Sequence, residues 1–157
     1  MHTLSVSVIS AQYHIRGWLV RACLALSATV LAGCPSIPIS YYDSTTYTHL
    51  TSLKAETTAL IETFDTKPFA QNEGKIEATS LNLRKAHEYE KGKGAPNSDT
   101  AKQFDMIVKL YADAISDYKT NPSGTLGPKF FQEAAKVLGQ AFDIVIATEN
   151  VKNKDKR

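Results

Sequence analysis

The sequence predicts an all-α fold, an antiparallel four-helix bundle. Three observations predict it. Apolar residues recur at steps of three and four through four separate stretches of about 18–23 residues. Proline and glycine clusters at Lys67-Pro68, Gly92–Pro96 and Asn121–Gly124 divide those stretches. The connections are short, and an amphipathic helix cannot bury its own apolar face, so consecutive helices must turn back and pack on one another.

The first helix is expected from an Asp43 or Ser44 cap to about Asp65, with Tyr47, Leu50, Leu53, Leu60, Ile61 and Phe64 on one face and Thr57 filling the gap. Lys67-Pro68 ends it. The second is expected from about Asn72 to Lys91. Its stripe is thinner: Ile76, Leu83 and Ala86, then Tyr89 or Glu90, with Leu81 off phase. Asn97 or Ser98 caps the third, and Asp99 complements the dipole of its first turn. Phe104, Ile107, Val108, Tyr111, Ile115 and Tyr118 form the cleanest stripe of the chain. Gly127-Pro128 opens the fourth, whose first turn suits a proline. Phe130, Phe131, Ala134, Ala135, Leu138, Ala141, Phe142, Val145 and Ile146 make it apolar on more than one face, so it is expected to be the most buried helix. The helical domain then spans residues 43–149, and residues 150–157 are a polar, lysine-rich tail expected to fray.

Ahead of the domain lies a segment of a different kind. Residues 1–21 carry Arg16 and Arg21 and no acid, Ala22–Leu31 is a short, mainly apolar run, and Ala32 and Gly33 are small. A positive flank, a short apolar core and a small-residue exit are the parts of a signal peptide. A run of this length falls short of the roughly 20 residues a spanning helix needs. The tetrad Leu31-Ala32-Gly33-Cys34 that ends it resembles the lipobox of bacterial lipoprotein precursors. The resemblance implies that Leu31, Ala32 and Gly33 are read by the processing machinery and that residues 1–33 are removed. It implies further that Cys34 carries a covalent lipid, the one non-protein group expected. Pro35 stands where the inner-membrane retention signal of such lipoproteins carries an aspartate, which implies the outer membrane of the cell envelope. Residues 34–42 are then a lipidated tether. Pro35 and Pro38 disfavour helix, and an extended piece of this size reaches roughly 25 Å at about 3.1 Å per residue.

Charge and cysteine content fit that division. The chain has 18 Lys and Arg against 16 Asp and Glu, but Arg16 and Arg21 precede Cys34 and no acid precedes Asp43. The part from Cys34 onward is therefore formally neutral, which argues against nucleic acid as a partner. Cys23 falls in the removed segment and Cys34 is lipidated, leaving no thiol for a disulfide.

No motif for chemistry emerges. Bundle metal sites use Glu-x-x-His pairs, yet Thr46 and Arg84 stand three residues before His49 and His87, so no metal is expected. There is no Gly-x-Ser-x-Gly and no phosphate-cradling glycine loop. Asp113 and Asp117 share a helical face, as solvated acids commonly do. The chain is therefore expected not to be an enzyme. Tyr41, Tyr42 and Tyr47 cluster where tether meets first helix, and tyrosines suit protein interfaces. With Lys91 and Lys93 in the following loop region they form the candidate surface for a protein partner in the envelope, in a tether, assembly or inhibitor role. The alternative is a carrier or sensor of a small apolar ligand in the core around Phe130, Phe131 and Phe142.

Overall fold

A computed structural model describes residues 40–121, 125–127 and 129–152. Leu31, Ala32, Gly33 and Cys34, the tether before Ser40, Pro128 and the tail after Lys152 lie outside the described residues. Among the described residues the protein is all-α: helices α1 (Ser44–Glu62), α2 (Phe69–Gly92), α3 (Ser98–Thr120) and α4 (Phe130–Asn150), with a short 3-10 helix, Ala95–Asn97, before α3. None is long and apolar enough to cross a membrane.

The helix ends follow local chemistry. The Asp43 carboxylate caps α1 by accepting from the Thr45 N–H at 2.8 Å. That helix stops at Glu62, three residues short of the expected end, because Thr63 Oγ1 donates to the Leu60 carbonyl at 2.6 Å and the chain tightens into a turn. α2 starts at Phe69, directly behind Pro68, which costs the first turn no useful N–H. Gly94, at φ 74°, makes the left-handed step that a side chain would resist, and the 3-10 helix follows it. Asn97 precedes α3 but makes no capping hydrogen bond, because its side chain is engaged elsewhere.

α1 and α3 each pack on both α2 and α4. Across these contacts rising residue numbers meet falling ones. Thr46 bonds to Glu90, Glu56 to Thr79 and Thr63 to Asn72 between α1 and α2. Tyr118 meets Asn72, and His87 Nε2 lies 2.7 Å from Asp105 Oδ1, between α2 and α3. Gln103 reaches Thr148 and Tyr118 meets Phe131 between α3 and α4; Lys54 reaches Asp143 and Phe64 meets Phe131 between α1 and α4.

The core fills from all four helices: Leu50, Leu53, Ile61 and Phe64, Ile76, Leu83 and Ala86, Phe104, Ile107, Tyr111 and Tyr118, and Phe131, Leu138, Phe142 and Val145. Its aromatic end is a stack. Phe64 lies parallel to Tyr118 at 3.8 Å between centroids, and Phe131 sets its edge against both. The Tyr118 hydroxyl donates to the Lys67 carbonyl at 2.7 Å and accepts from Asn72 Nδ2 at 2.9 Å, pinning the α1–α2 loop to α3. Burial pushes the Tyr118 phenol up, and pushes that of Tyr111 up to about 12.

Four expectations need correction. Thr46, not Tyr47, takes the first core position of α1. On α3, Ala114 is buried, whereas Val108 and Ile115 are only half-buried. Lys152, assigned to the fraying tail, is 8% exposed. The fourth helix is not closed all round: Phe130, Val137 and Ile144 remain exposed, because a helix flanked by two others keeps an outward side.

Two substitutions test this packing. Phe64→Ala should cost about 3–5 kcal/mol in urea unfolding. Gly139→Ala should instead stabilise by up to about 1 kcal/mol, since Gly139 is a mid-helix glycine. A methyl there meets Thr58 Cγ2 at 3.5 Å and Lys54 Cε at 3.7 Å, which are ordinary contacts. A loss of stability on Gly139→Ala would mean that α1 and α4 sit closer than described.

Candidate functional site

The end of the domain where α1 begins gathers polar side chains from α1, α2, the 3-10 helix and α4 and from the segments beside them. Glu90 at the end of α2 and Glu149 at the end of α4 have no solvent exposure. Thr46 Oγ1 donates to Glu90 Oε1 at 2.6 Å, and Asn97 Nδ2 donates both to Glu90 Oε2 at 2.8 Å and to the Glu90 carbonyl at 3.0 Å. Lys93 Nζ lies 3.1 Å from Glu90 Oε2 and 2.9 Å from Asp43 Oδ2, and also donates to Thr46 Oγ1. Glu149 Oε1 accepts from the Asp43 N–H at 2.6 Å, and Glu149 Oε2 from Lys152 Nζ at 2.6 Å. Lys152 reaches on to Asn97 Oδ1 at 2.8 Å, which also accepts from Ser40 Oγ at 2.9 Å. The Ser40 N–H donates to the Pro96 carbonyl at 3.0 Å, so the segment ahead of α1 is tied to the 3-10 helix.

The cluster sets three carboxylates, Asp43, Glu90 and Glu149, against two cations, Lys93 and Lys152, and the one negative charge left over is dispersed over N–H and O–H donors. Buried ions are tolerated only when paired and hydrogen-bonded, and here each carboxylate accepts at least two hydrogen bonds. Partial burial raises the Asp43 carboxyl, but hydrogen bonds from Tyr89, Lys93 and the Thr45 N–H, with the charge of Lys93, outweigh it and hold the group well below the usual carboxylate range. Burial lowers the Lys93 ammonium, but the Asp43 and Glu90 carboxylates win and raise it. The Tyr89 phenol is raised, chiefly by its hydrogen bond to Asp43 and then by burial.

Beside this cluster lies a surface groove of about 510 Å³ between residues 40–43 and α2, lined by Ser40, Tyr41, Tyr42, Asp43, Glu88, Tyr89, Gly92 and Lys93. Three of the five residues predicted for partner binding, Tyr41, Tyr42 and Lys93, thus share one groove. Tyr47 stands at its edge, its ring 6.4 Å from that of Tyr42. Lys91 lies outside it and pairs with Glu88 at 3.3 Å. Lys93 is not a free surface cation: it is held under the ring of Tyr89, 4.6 Å from the centroid, by the carboxylates behind it.

Tyr89, Glu88 and the cluster itself were missed by sequence reasoning. The signal for the cluster was present. Glu90 continues the Ile76, Leu83, Ala86 phase, and Glu149 continues the Leu138, Phe142, Val145 phase, so both carboxylates fall on core faces at helix ends. The phenylalanines proposed as a ligand chamber separate. Phe131 and Phe142 are enclosed by core, while Phe130 borders an open apolar groove of about 600 Å³ between α3 and α4. His49 sits edge-on to Tyr89 at 5.4 Å. Among the described residues no group of three or more His, Cys, Asp or Glu is placed to hold a metal.

The cluster predicts a pH profile and a mutational cost. The Asp43 contribution is present above the ordinary carboxylate value of about 4 and is lost as pH falls below it; the Lys93 contribution is present below about 10.4 and is lost as pH rises beyond it. Stability by urea unfolding should therefore fall at both extremes, with Asp43→Asn flattening the acid side and Lys93→Met the alkaline side. Lys152→Ala should cost about 3–5 kcal/mol at neutral pH, because it strands the Glu149 carboxylate without its cation. A cost near that of a surface lysine would show that water, not Lys152, solvates Glu149.

No protein-family model matches the chain, and no curated protein or solved structure matches it.

Proposed function

We propose that this chain is a lipid-anchored protein of the cell envelope, on the outer membrane, and that its four helices form an antiparallel up-down bundle that binds a protein partner beside the anchor. The role is that of a tether, assembly factor or inhibitor, without catalysis. The observation that carries the reading is the tetrad Leu31-Ala32-Gly33-Cys34, which follows a short apolar run and two arginines and precedes a proline-containing spacer. The head-to-tail pairing of residues between adjacent helices supports the bundle.

The groove supports the place of binding. Tyr41 and Tyr89 are large, stiff and exposed, with hydroxyls for a polar rim, and Tyr41 follows Pro38 by three residues. Cys34 and Tyr41 are seven positions apart, so a lipid on that cysteine keeps the groove within a few nanometres of the membrane surface. Confinement to that layer raises the effective concentration for a membrane-associated partner without any new contact. Two acyl chains or more give stable anchoring at roughly 0.8 kcal/mol per buried methylene.

Two measurements test the proposal separately. Labelled palmitate should enter the wild-type chain and not Cys34→Ala, and only the former should fractionate with membranes; an unlabelled wild type overturns the anchor. A photo-crosslinking residue at Tyr41 or Glu88 should capture one discrete protein in intact cells, whereas the same probe at Glu77, on the exposed side of α2, should not. Identical patterns at the three sites overturn the choice of groove.

A further inference from the structure

Residues 40–43, one wall of the tyrosine groove, belong to no helix. They are a strap whose place is set by its attachments. On the side facing α2, the Asp43 carboxylate is held by the Tyr89 hydroxyl and by Lys93. On the other side three donors of the strap find acceptors. The Ser40 N–H reaches the Pro96 carbonyl at 3.0 Å, Ser40 Oγ reaches Asn97 Oδ1 at 2.9 Å, and the Asp43 N–H reaches Glu149 Oε1 at 2.6 Å. Tyr41 and Tyr42, which the strap carries into the groove, stand between these attachment points.

Both side-chain acceptors on that second side are shared with one cation. Lys152 Nζ donates to Glu149 Oε2 at 2.6 Å and to Asn97 Oδ1 at 2.8 Å. Glu149 therefore gives one oxygen to Lys152 and the other to Asp43, 106 positions earlier, while Asn97 Oδ1 serves Lys152 and Ser40 together. A carboxylate with no exposure keeps its place only while its charge is met. Without the ammonium, Glu149 must turn toward water or draw water in, and either movement takes Oε1 away from the Asp43 N–H. Lys152 itself lies beyond the last residue of α4, Asn150, where its N–H meets the Glu149 carbonyl at 3.2 Å. It can leave by opening that one turn, with Phe142 and Val145 still packed in the core.

We infer that Lys152 is a latch: seated, it positions Glu149 and Asn97 to hold residues 40–43, and through them one wall of the tyrosine groove; unseated, it releases that wall. Lys152 is thus a positioning residue, acting through two side chains rather than on the groove directly. The coupling runs both ways. Whatever holds the strap in place favours the seated lysine, and whatever captures the lysine loosens the groove. The latch stands on these hydrogen bonds; only its effect on a partner rests on the reading of the groove as a docking place.

Amide hydrogen exchange of the full chain, read by NMR, tests the latch. Lys152→Gln keeps a hydrogen-bond donor and removes the charge. It should speed exchange at Ser40 and Asp43 by about tenfold or more beyond any change at the core amides of Leu53, Ile107 and Leu138. A lysine of merely structural value would raise exchange at all of these amides together, through a lower global stability. A uniform rise overturns the latch, and so does an unchanged rate at Ser40 and Asp43. The double variant Lys152→Met with Glu149→Gln leaves no unmet charge and keeps an acceptor for the Asp43 N–H. It should restore most of the protection at Asp43 and guards against a single variant that fails to fold; exchange at Asp43 as fast as in an unstructured peptide overturns the proposal. These measurements need no partner, so the latch can fail while a probe at Tyr41 still captures a protein in cells, and can hold where that probe captures none.

Discussion

Two carboxylates with no exposure to solvent, Glu90 and Glu149, have to be neutralised before the domain can close, and most of what happens at the end where α1 begins follows from that. Water cannot reach them. Their partners therefore come from wherever the chain can supply them: a threonine one turn into α1, an asparagine ahead of α3, lysines just beyond the ends of α2 and α4, and a backbone N–H at Asp43. Each partner brings a different segment into register. An apolar plug of equal volume could match or exceed the cluster in stability, because desolvating ions is expensive. What the ions add is direction, since each hydrogen bond is satisfied by one atom at one angle, and a slipped helix would leave a charge bare.

The two ends of the domain are thus held by different physics. At the far end Phe64, Tyr118 and Phe131 close on one another as flat and edge-on rings, a contact of area and shape. At the near end closure is electrostatic. Tyr118 is the point at which the far end borrows from the second kind, spending its hydroxyl on Asn72 and the Lys67 carbonyl to hold a loop. Between the ends, the helices interlock through aliphatic side chains with Tyr111 and Phe142 among them, and there exposed apolar residues of α3 and α4 remain.

Local signals in the sequence carried the element boundaries well. Asp43 as cap, Pro68 as breaker and the glycines around Lys93 each act within four residues, so a linear reading finds them. The stripes of α1 and α3 were legible for the same reason, with errors of one position, Thr46 for Tyr47 and Ala114 for Ile115, where size gave way to geometry. Lys152 was not legible. A lysine in a polar tail reads as solvated, and only its hydrogen bond to Asn97, 55 positions earlier, makes it structural. Lys93 shares a groove with Tyr41 and Tyr42, but a linear reading sees its charge and not the carboxylates behind it. The fourth helix misled in the opposite sense, because apolar content predicts that a face will be covered without saying whether the covering comes from the same chain.

The bond from the Ser40 N–H to the Pro96 carbonyl has a mechanical meaning. A pull applied through the residues before Ser40 does not peel α1 away from its first turn. It meets Ser40 held by Pro96 and Asn97, and then Asp43 held by Glu149, Lys93 and Tyr89. Tension is therefore shared at once among α1, the ends of α2 and α4, and the 3-10 helix, as shear across several short bonds. A force entering there can be borne without the first helix being unwound.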